Sequence, residues 1–209
     1  MCYRYYMLKG PELEALVNSM SGSALYMKLA DLFPNKLKTA GEVFPTDIVP
    51  VIACSRLKER TVFPMAWGFT GREKGTVIAN CRVETAKDLP LWRDAWLKHR
   101  CIVPASWYFE WAHPHDGGAE RRGQKYRFCP KGERILNLAG VYRIEKRDGI
   151  PVPVFAVITR EAPEGIRSIH DRMPLILPDS AASEWIMPDS DPEKSALQAL
   201  VDIEYQKVV

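Results

Sequence analysis

The chain has 209 residues, of which 46% are hydrophobic and 26% are charged, and its formal net charge is +3. These values are typical of a globular protein, and we expect residues 1–209 to form a single domain. No apolar run approaches the ~20 residues that cross a membrane, and the first ten residues lack the apolar core of a secretory signal. So small a positive charge permits nucleic acid as a partner without requiring it.

Apolar spacing predicts helices at both ends of the chain and strands between them. The predicted helices cover residues 11–20, 24–33, 89–97, 179–186 and 191–200, with caps at Ser23, Asp179 and Asp191. The predicted strands cover residues 48–53, 61–69, 76–79, 100–111, 135–142, 152–159 and 175–177. Within the first strand, Pro50 indicates an edge or a bulge. The pattern predicts a β-rich α+β domain.

Five cysteines are scattered along the chain without a CxxC motif. Their odd number and wide spacing argue against a disulfide framework or a zinc knuckle. We therefore expect a protein of the reducing cytoplasm. Apolar surroundings predict that Cys54, Cys101 and Cys129 are inert core thiols.

Cys2 directly follows the initiator Met1. A small second residue permits removal of Met1, which leaves an α-amine and a thiol on the same residue. The amine can condense with an aldehyde, and the thiol can then close on the imine carbon to form a thiazolidine ring. A single cysteine is weak evidence of catalysis by itself, so this hypothesis depends on the rest of the chain.

Residues 107–111 place a carboxylate inside an aromatic strand. Period-two alternation puts Trp107, Phe109 and Trp111 on one face and Glu110 with Tyr108 on the other. A carboxylate in this position either lines a polar cavity or pairs with a charged partner. The pattern leaves a structural ion pair and a functional acid equally open.

Asn80, Arg82 and His170 complete the candidates suggested by the sequence. Several candidates stand at or just after strand ends, where a mixed sheet or barrel brings distant residues to one mouth. His170 is followed by charged residues and a proline, which suits a fixed loop, although a structural histidine is the commoner outcome. A metal site at His113, His115 and Asp116 is rejected, because a Gly-rich loop there supplies no further ligand.

Several short motifs occur in an order that resembles one family. They are Met1-Cys2, Phe44-Pro45-Thr46-Asp47, Trp67-Gly68, Asn80-x-Arg82-x-Glu84-Thr85, Val103-Pro104-Ala105 through Phe109-Glu110-Trp111, and His170-Asp171-Arg172-Met173-Pro174. Each motif is weak alone. Their joint order, from residue 2 to about residue 188, resembles the SOS-response-associated peptidase (SRAP) family.

The resemblance implies a barrel-like mixed sheet with flanking helices and a positively charged groove for single-stranded DNA. It implies a sensor of abasic sites that forms a thiazolidine DNA–protein crosslink and shields the lesion during replication. It implies no cofactor, metal or membrane. We expect a cytoplasmic monomer, associated with the nucleoid if the source is bacterial.

The resemblance also assigns roles by position. Cys2 corresponds to the crosslinking residue, Asn80 to the asparagine beside it, and Glu110 and His170 to the essential glutamate and histidine. DNA contacts are implied at five positions: Arg4, Pro45, Trp67, Arg82 and Arg172.

The chain departs from the family pattern at Tyr3, Cys81 and Trp107, where the family usually has glycine, alanine and glycine. Tyr3 crowds the reactive residue. A core role for Trp67 is as well supported as stacking on a nucleotide. Two other functions stay open: a cysteine peptidase that uses Cys2 with Glu110 and His170 and removes Met1 itself, and a non-covalent single-strand binding module.

Overall fold

The computed structural model describes residues 2–112, 123–130, 135–147 and 149–208. The helices are α1 (Pro11–Ser21), α2 (Ala24–Leu32), α3 (Arg93–Lys98), α4 (Glu164–Arg167), α5 (Asp179–Trp185) and α6 (Pro192–Ala196), with a 3-10 turn at Val83–Thr85. The strands are β1 (Tyr5–Met7), β2 (Gly41–Val43), β3 (Ile48–Cys54), β4 (Arg60–Trp67), β5 (Phe69–Thr70), β6 (Val77–Ile78), β7 (Asn80–Arg82), β8 (Arg100–Ala105), β9 (Trp107–Trp111), β10 (Lys125–Pro130), β11 (Leu136–Arg147), β12 (Ile150–Glu161), β13 (Arg172–Pro174), β14 (Ile176–Leu177) and β15 (Ile203–Lys207).

Five strands close a mixed barrel in the order β12, β4, β3, β8, β11 and back to β12. Within this ring only β4 and β12 run parallel to each other. β7 continues beside β12 where β4 has ended, because Asn80 pairs with Val157 and Arg82 with Thr159. The predicted α+β fold with a barrel-like mixed sheet and helices at both ends is confirmed.

A second, antiparallel sheet has the order β15, β10, β9, β1, β2. The single strand predicted over 100–111 is therefore two strands, with β8 in the barrel and β9 in this second sheet. The chain changes sheets at Ser106, whose N–H donates to the Tyr6 carbonyl at 2.7 Å and whose Oγ accepts the Leu8 N–H at 2.8 Å. These bonds hold β1, and with it the start of the chain, beside β9.

The predicted helix caps have different outcomes. Ser23 caps α2 by accepting the N–H of Tyr26 at 3.1 Å, and the Asp191 carboxylate accepts N–H groups of the first turn of α6. The cap predicted at Asp179 is wrong, because Asp179 is the first helical residue after Pro178. Its carboxylate instead accepts the Asn137 side-chain N–H at 2.7 Å and ties α5 to the barrel.

Two features near the C-terminus differ from the sequence pattern. α6 ends at Ala196 and not near residue 200, and β15 follows it. β15 is an edge strand with four exposed residues out of five, so it lacks the alternation that identifies a strand from sequence. No helix among the described residues is long and apolar enough to cross a membrane.

Pro50 is neither at a sheet edge nor at a bulge, since β3 is inside the ring and pairs regularly with β4. It lies opposite Pro64, and two prolines cannot exchange N–H bonds, so the pair is a non-hydrogen-bonded one. The ladder between β3 and β8 contains only Ile52 and Ala53 of β3. The N–H group that Pro50 lacks is therefore not part of the ladder between β3 and β8.

Candidate functional site

Cys2 lies at the entry to β1, and its side chain is fully buried. The pairing of β1 with β9 continues to Arg4, whose carbonyl accepts the N–H of Phe109 at 2.9 Å. The Cys2 Sγ lies 3.9 Å from that same carbonyl. Burial first, and the Glu110 carboxylate second, raise the pKa of the Cys2 thiol. The thiol is therefore protonated at neutral pH and needs a base before it can act as a nucleophile.

Glu110 and His170 belong to different parts of the fold, and their side chains lie close together. Glu110 is on β9, His170 is in the loop between α4 and β13, and Glu110 Oε2 lies 3.7 Å from His170 Nε2. Both side chains are buried. Burial, reinforced by the charge of Asp171, raises the pKa of Glu110 to about 7. A carboxyl group with this pKa can both accept and release a proton at neutral pH.

The orientation of the His170 ring is set by its own loop. The backbone N–H of Arg172 donates to Nδ1 at 3.0 Å, while Oδ1 of Asp171 lies 3.1 Å from the same nitrogen. The two contacts require opposite states of Nδ1. The Arg172 N–H requires a lone pair on this nitrogen, whereas the Asp171 carboxylate requires a proton on it. We assign Nδ1 as the acceptor, because the backbone donor is fixed and buried whereas the Asp171 side chain is 69% exposed. The neutral ring then carries its proton on Nε2, which faces Glu110.

Several buried side chains have polar atoms without a hydrogen-bond partner among the described residues. Among them are the amide of Asn80, at both its oxygen and its nitrogen, and the hydroxyl groups of Tyr5 and Tyr108. Each such buried group costs about 1–3 kcal/mol if left unsatisfied. Tyr5 and Tyr108 are paired across β1 and β9 and belong to the core cluster that contains Cys2.

Neither tyrosine is among the site residues predicted from the sequence. The available signal was strand alternation, which puts Tyr108 on the same face as Glu110. No sequence pattern identified Tyr5, because its position opposite Tyr108 depends on the pairing of β1 with β9.

Trp67 has no exposed surface in this structure, and its stacking on a nucleotide stays a prediction. The side chain is fully buried at the end of β4. Its indole N–H donates to the carbonyl of Ala79 at 2.9 Å, and its ring packs 5.2 Å from that of Tyr5. Trp67 is a core residue that joins β4 to the residue preceding Asn80, which is the alternative left open by the sequence.

Arg172 is also engaged inside the protein, and its contact with DNA stays a prediction. Its guanidinium donates to both carboxylate oxygens of Glu84, at 2.8 and 2.9 Å. It also donates to the Thr159 carbonyl at 2.9 Å, and only 9% of the side chain is exposed. The two terminal nitrogens of the guanidinium are therefore engaged with protein acceptors, whereas Nε has no partner among the described residues.

The other predicted DNA contacts lie closer to solvent. Arg82 is exposed. Arg4 is partly exposed; its guanidinium lies 4.5 Å from the centre of the Phe44 ring and 3.5 Å from Glu42. Pro45 is partly exposed in a tight loop, in which the Asp47 carboxylate accepts the Phe44 N–H at 2.9 Å.

Several expectations fall on residues that the structure does not describe. Met1 and the rejected metal motif at His113, His115 and Asp116 lie outside the described residues. Within the described part of the chain, no group of three potential ligands is arranged to hold a metal ion. Two surface cavities of about 270 and 520 Å³ are lined by other residues, and the larger one reaches Glu84.

The fold and the site together define a mixed-barrel protein with a thiol near its N-terminus beside a glutamate–histidine pair. The chain belongs to the SOS response associated peptidase (SRAP) family, whose model matches residues 1–208. The resemblance seen in the sequence motifs is thereby confirmed.

Two curated relatives and one solved structure give the extent of the similarity. Abasic site processing protein YoqW of Bacillus subtilis (strain 168) is 31% identical over 121 residues, which cover 57% of this chain and 52% of that protein. Abasic site processing protein YedK of Escherichia coli (strain K12) is 30% identical over 124 residues, covering 59% and 54%. The chain spans about half the length of the curated relatives it matches. A crystal structure of a protein from Bacteroides thetaiotaomicron matches with a TM-score of 0.72 and 23% identity, covering 100% of this chain and 92% of that one, which supports the fold alone.

Proposed function

We propose that this protein senses abasic sites in single-stranded DNA and forms a covalent crosslink with them through Cys2 after Met1 is removed. The observation that carries the proposal is that a buried Cys2 is grouped with Glu110 and His170. Oε2 of Glu110 and Nε2 of His170 are 3.7 Å apart. The names of the two bacterial relatives support the same substrate. The residue roles below are part of the proposal.

The reaction needs a free α-amine and a thiol on Cys2. The amine attacks the aldehyde carbon of the ring-opened sugar, and loss of one water gives an imine. The Cys2 sulfur then adds to the imine carbon, and the thiol proton passes to the imine nitrogen. The product is a thiazolidine ring, so amine, thiol and aldehyde together give one ring and one water.

The neighbouring groups supply the proton transfers. The sugar is mostly a closed hemiacetal, and opening it requires a proton to leave its hydroxyl and another to reach the ring oxygen. His170 presents Nε2 toward Glu110, and the pair exchanges protons near neutral pH because the pKa of Glu110 is about 7. Glu110 then takes a proton from the amine or the thiol of Cys2. Asn80 has free donor and acceptor capacity among the described residues and orients the terminus or the sugar.

DNA affinity has to come from the phosphates and the bases that flank the lesion, because the abasic nucleotide has no base. Of the predicted contacts, Arg82 and Arg4 are accessible cations for the phosphates, and Pro45 packs beside the DNA strand. Trp67 and Arg172 remain predicted contacts, and in this structure both make hydrogen bonds inside the protein.

The test is intact-mass measurement after incubation with a single-stranded oligonucleotide that contains one abasic site. The processed wild-type protein is expected to gain the mass of the oligonucleotide minus one water, and the adduct should survive heat and denaturant. The same oligonucleotide without the abasic site should give no adduct. Cys2→Ala should give none, whereas Cys54→Ala, a matched change at a partly buried cysteine, should react normally. A heat-stable adduct in Cys2→Ala contradicts the proposal.

A thiol peptidase that uses the same residues is the competing function, and the family description includes that activity. In the crosslinking mechanism we expect no peptide cleavage in trans, beyond an autoproteolytic loss of Met1. Turnover of a peptide substrate that depends on Cys2 and Glu110 identifies the peptidase. Salt-reversible binding that is indifferent to Cys2 identifies a non-covalent binding module.

A further inference from the structure

An ion pair lies directly behind the His170 loop. Glu84, in the 3-10 turn that follows β7, accepts two hydrogen bonds from the Arg172 guanidinium at 2.8 and 2.9 Å. The Arg172 side chain is 9% exposed and that of Glu84 is 42% exposed. Burial of Glu84 works in the opposite direction, but the hydrogen bonds from Arg172 prevail and lower the pKa of the Glu84 carboxyl. The pair therefore joins a buried cation to an anion at the surface.

The backbone of Arg172 also sets which nitrogen of the His170 ring carries the proton. Its N–H donates to His170 Nδ1 at 3.0 Å, so Nδ1 has to present a lone pair. The proton of the neutral ring is then on Nε2, the atom 3.7 Å from Glu110 Oε2. A shift of the Arg172 backbone would weaken this N–H donor to Nδ1 and allow the other tautomer, which would turn a lone pair toward Glu110.

Glu84 is the group that keeps Arg172 in this position. Without the Glu84 charge, the guanidinium is left with neutral acceptors on Thr159, at 2.9 Å to the carbonyl and 3.3 Å to Oγ1. A buried cation without a counter-charge is unfavourable by several kcal/mol, so the side chain is driven toward water. Such a movement pulls on the backbone of β13, only two residues after His170.

We propose that Glu84 is a positioning residue, which acts through Arg172 to fix the tautomer and orientation of His170 toward Glu110. The Asn80-x-Arg82-x-Glu84 motif would thus serve the site twice, through Asn80 itself and through the contact of Glu84 with Arg172. The kinetic consequence rests on the proposed crosslinking function. The structural consequence, the His170 tautomer, does not.

The experiment compares Glu84→Gln with two matched variants. Glu84→Asp keeps the charge on a shorter side chain and should restore part of the effect. Glu145→Gln breaks another partly buried ion pair, in which Glu145 contacts Arg143 and Arg147 on the same strand, β11. Glu145→Gln reports what the loss of such a pair does to stability alone.

Two readouts are measured on each processed protein. ¹⁵N–¹H NMR of the imidazole at neutral pH reports which nitrogen of His170 carries the proton, with His170→Gln used for assignment. Wild type and Glu145→Gln should show the proton on Nε2, and Glu84→Gln should show mixed tautomers. The single-turnover crosslinking rate at saturating abasic DNA should fall by about tenfold or more in Glu84→Gln, while the affinity for the DNA stays at the wild-type value.

The outcomes separate the two proposals. If Glu84→Gln keeps the wild-type tautomer and rate, or if Glu145→Gln lowers the rate equally, Glu84 has no positioning role. If the wild type itself forms no adduct, the crosslinking function is wrong, and the NMR measurement alone decides the role of Glu84. Should Glu84→Gln not fold, Glu84→Asp carries the same test, because the shorter carboxylate still perturbs the Arg172 contact.

Discussion

Two regions of the described structure bury polar groups in opposite ways, one with every group hydrogen-bonded and one with several groups left without a partner. Arg100, at the start of β8, is almost completely buried, and its N–H groups are all engaged with carbonyl or hydroxyl oxygens. Its acceptors belong to the ends of α3 and α5 and to the turn that follows: Trp96, Leu97, Trp185, Met187 and Ser190. By contrast, the hydroxyl groups of Tyr5 and Tyr108, in the core cluster that contains Cys2, have no hydrogen-bond partner among the described residues, and neither has the amide of Asn80.

This difference distinguishes buried polar groups that stabilise the fold from buried polar groups that belong to a functional site. A satisfied buried cation fixes the geometry of the elements around it, since each carbonyl at a helix C-terminus needs a donor. Unsatisfied groups next to a carboxyl of raised pKa cost stability, and such a cost is typical of a site prepared for a ligand. Three predictions test this comparison through stability, in order of decreasing effect.

Arg100→Met should cause the largest loss, because it leaves the carbonyl groups at the ends of two helices without donors. We expect the free energy of unfolding to fall by about 3–5 kcal/mol. Urea denaturation followed by circular dichroism measures this change. Burial lowers the pKa of Arg100 to about 10, so the side chain remains a cation at neutral pH. A loss below about 1 kcal/mol would mean that Arg100 is not a structural centre.

Glu110→Gln should have the opposite sign above neutral pH. Burial raises the pKa of Glu110 to about 7, so the folded state holds this proton more tightly than the unfolded state does. Wild-type stability therefore falls as the pH rises from about 4.5 to about 7. At pH 8 we expect the variant to be about 1–3 kcal/mol more stable than the wild type, and this advantage should disappear below pH 4.5.

The same variant should crosslink abasic DNA more slowly while its affinity for the DNA stays largely intact. Glu84→Gln is the matched control for the pH dependence, since the pKa of Glu84 is lowered and its contribution is lost as the pH falls. A Glu110→Gln variant that is destabilised at pH 8 and crosslinks at the wild-type rate would make Glu110 a structural ion-pair partner.

Tyr5→Phe and Tyr108→Phe should have the smallest effect on stability. Each removes a buried hydroxyl without a partner among the described residues, so we expect no loss and a gain of up to about 1 kcal/mol. Trp67→Phe is the control from the same cluster, because it removes an indole N–H that has a partner and should destabilise the fold. Thermal unfolding measures all three. Clear losses in both tyrosine variants would show that these hydroxyls are satisfied in solution.

The sequence could predict the elements whose pattern is local. The first two helices, most of the barrel strands and the caps at Ser23 and Asp191 follow from apolar spacing and short-range hydrogen bonds. The sequence could not predict that the strand over 100–111 changes sheets at Ser106, because that break depends on bonds to Tyr6 and Leu8, about 100 residues away. β15 was missed for a related reason: an exposed edge strand has no buried face to detect.

The sequence by itself determined the family and the candidate residues Cys2, Asn80, Glu110 and His170, because the order of motifs records which residue types are present. It could not determine which charged and aromatic residues are accessible. Trp67 and Arg172 were predicted to face DNA, yet one is in the core and the other is bound to Glu84. Only the tertiary structure decided this, because burial and the choice of ion-pair partner depend on contacts between segments far apart in the chain.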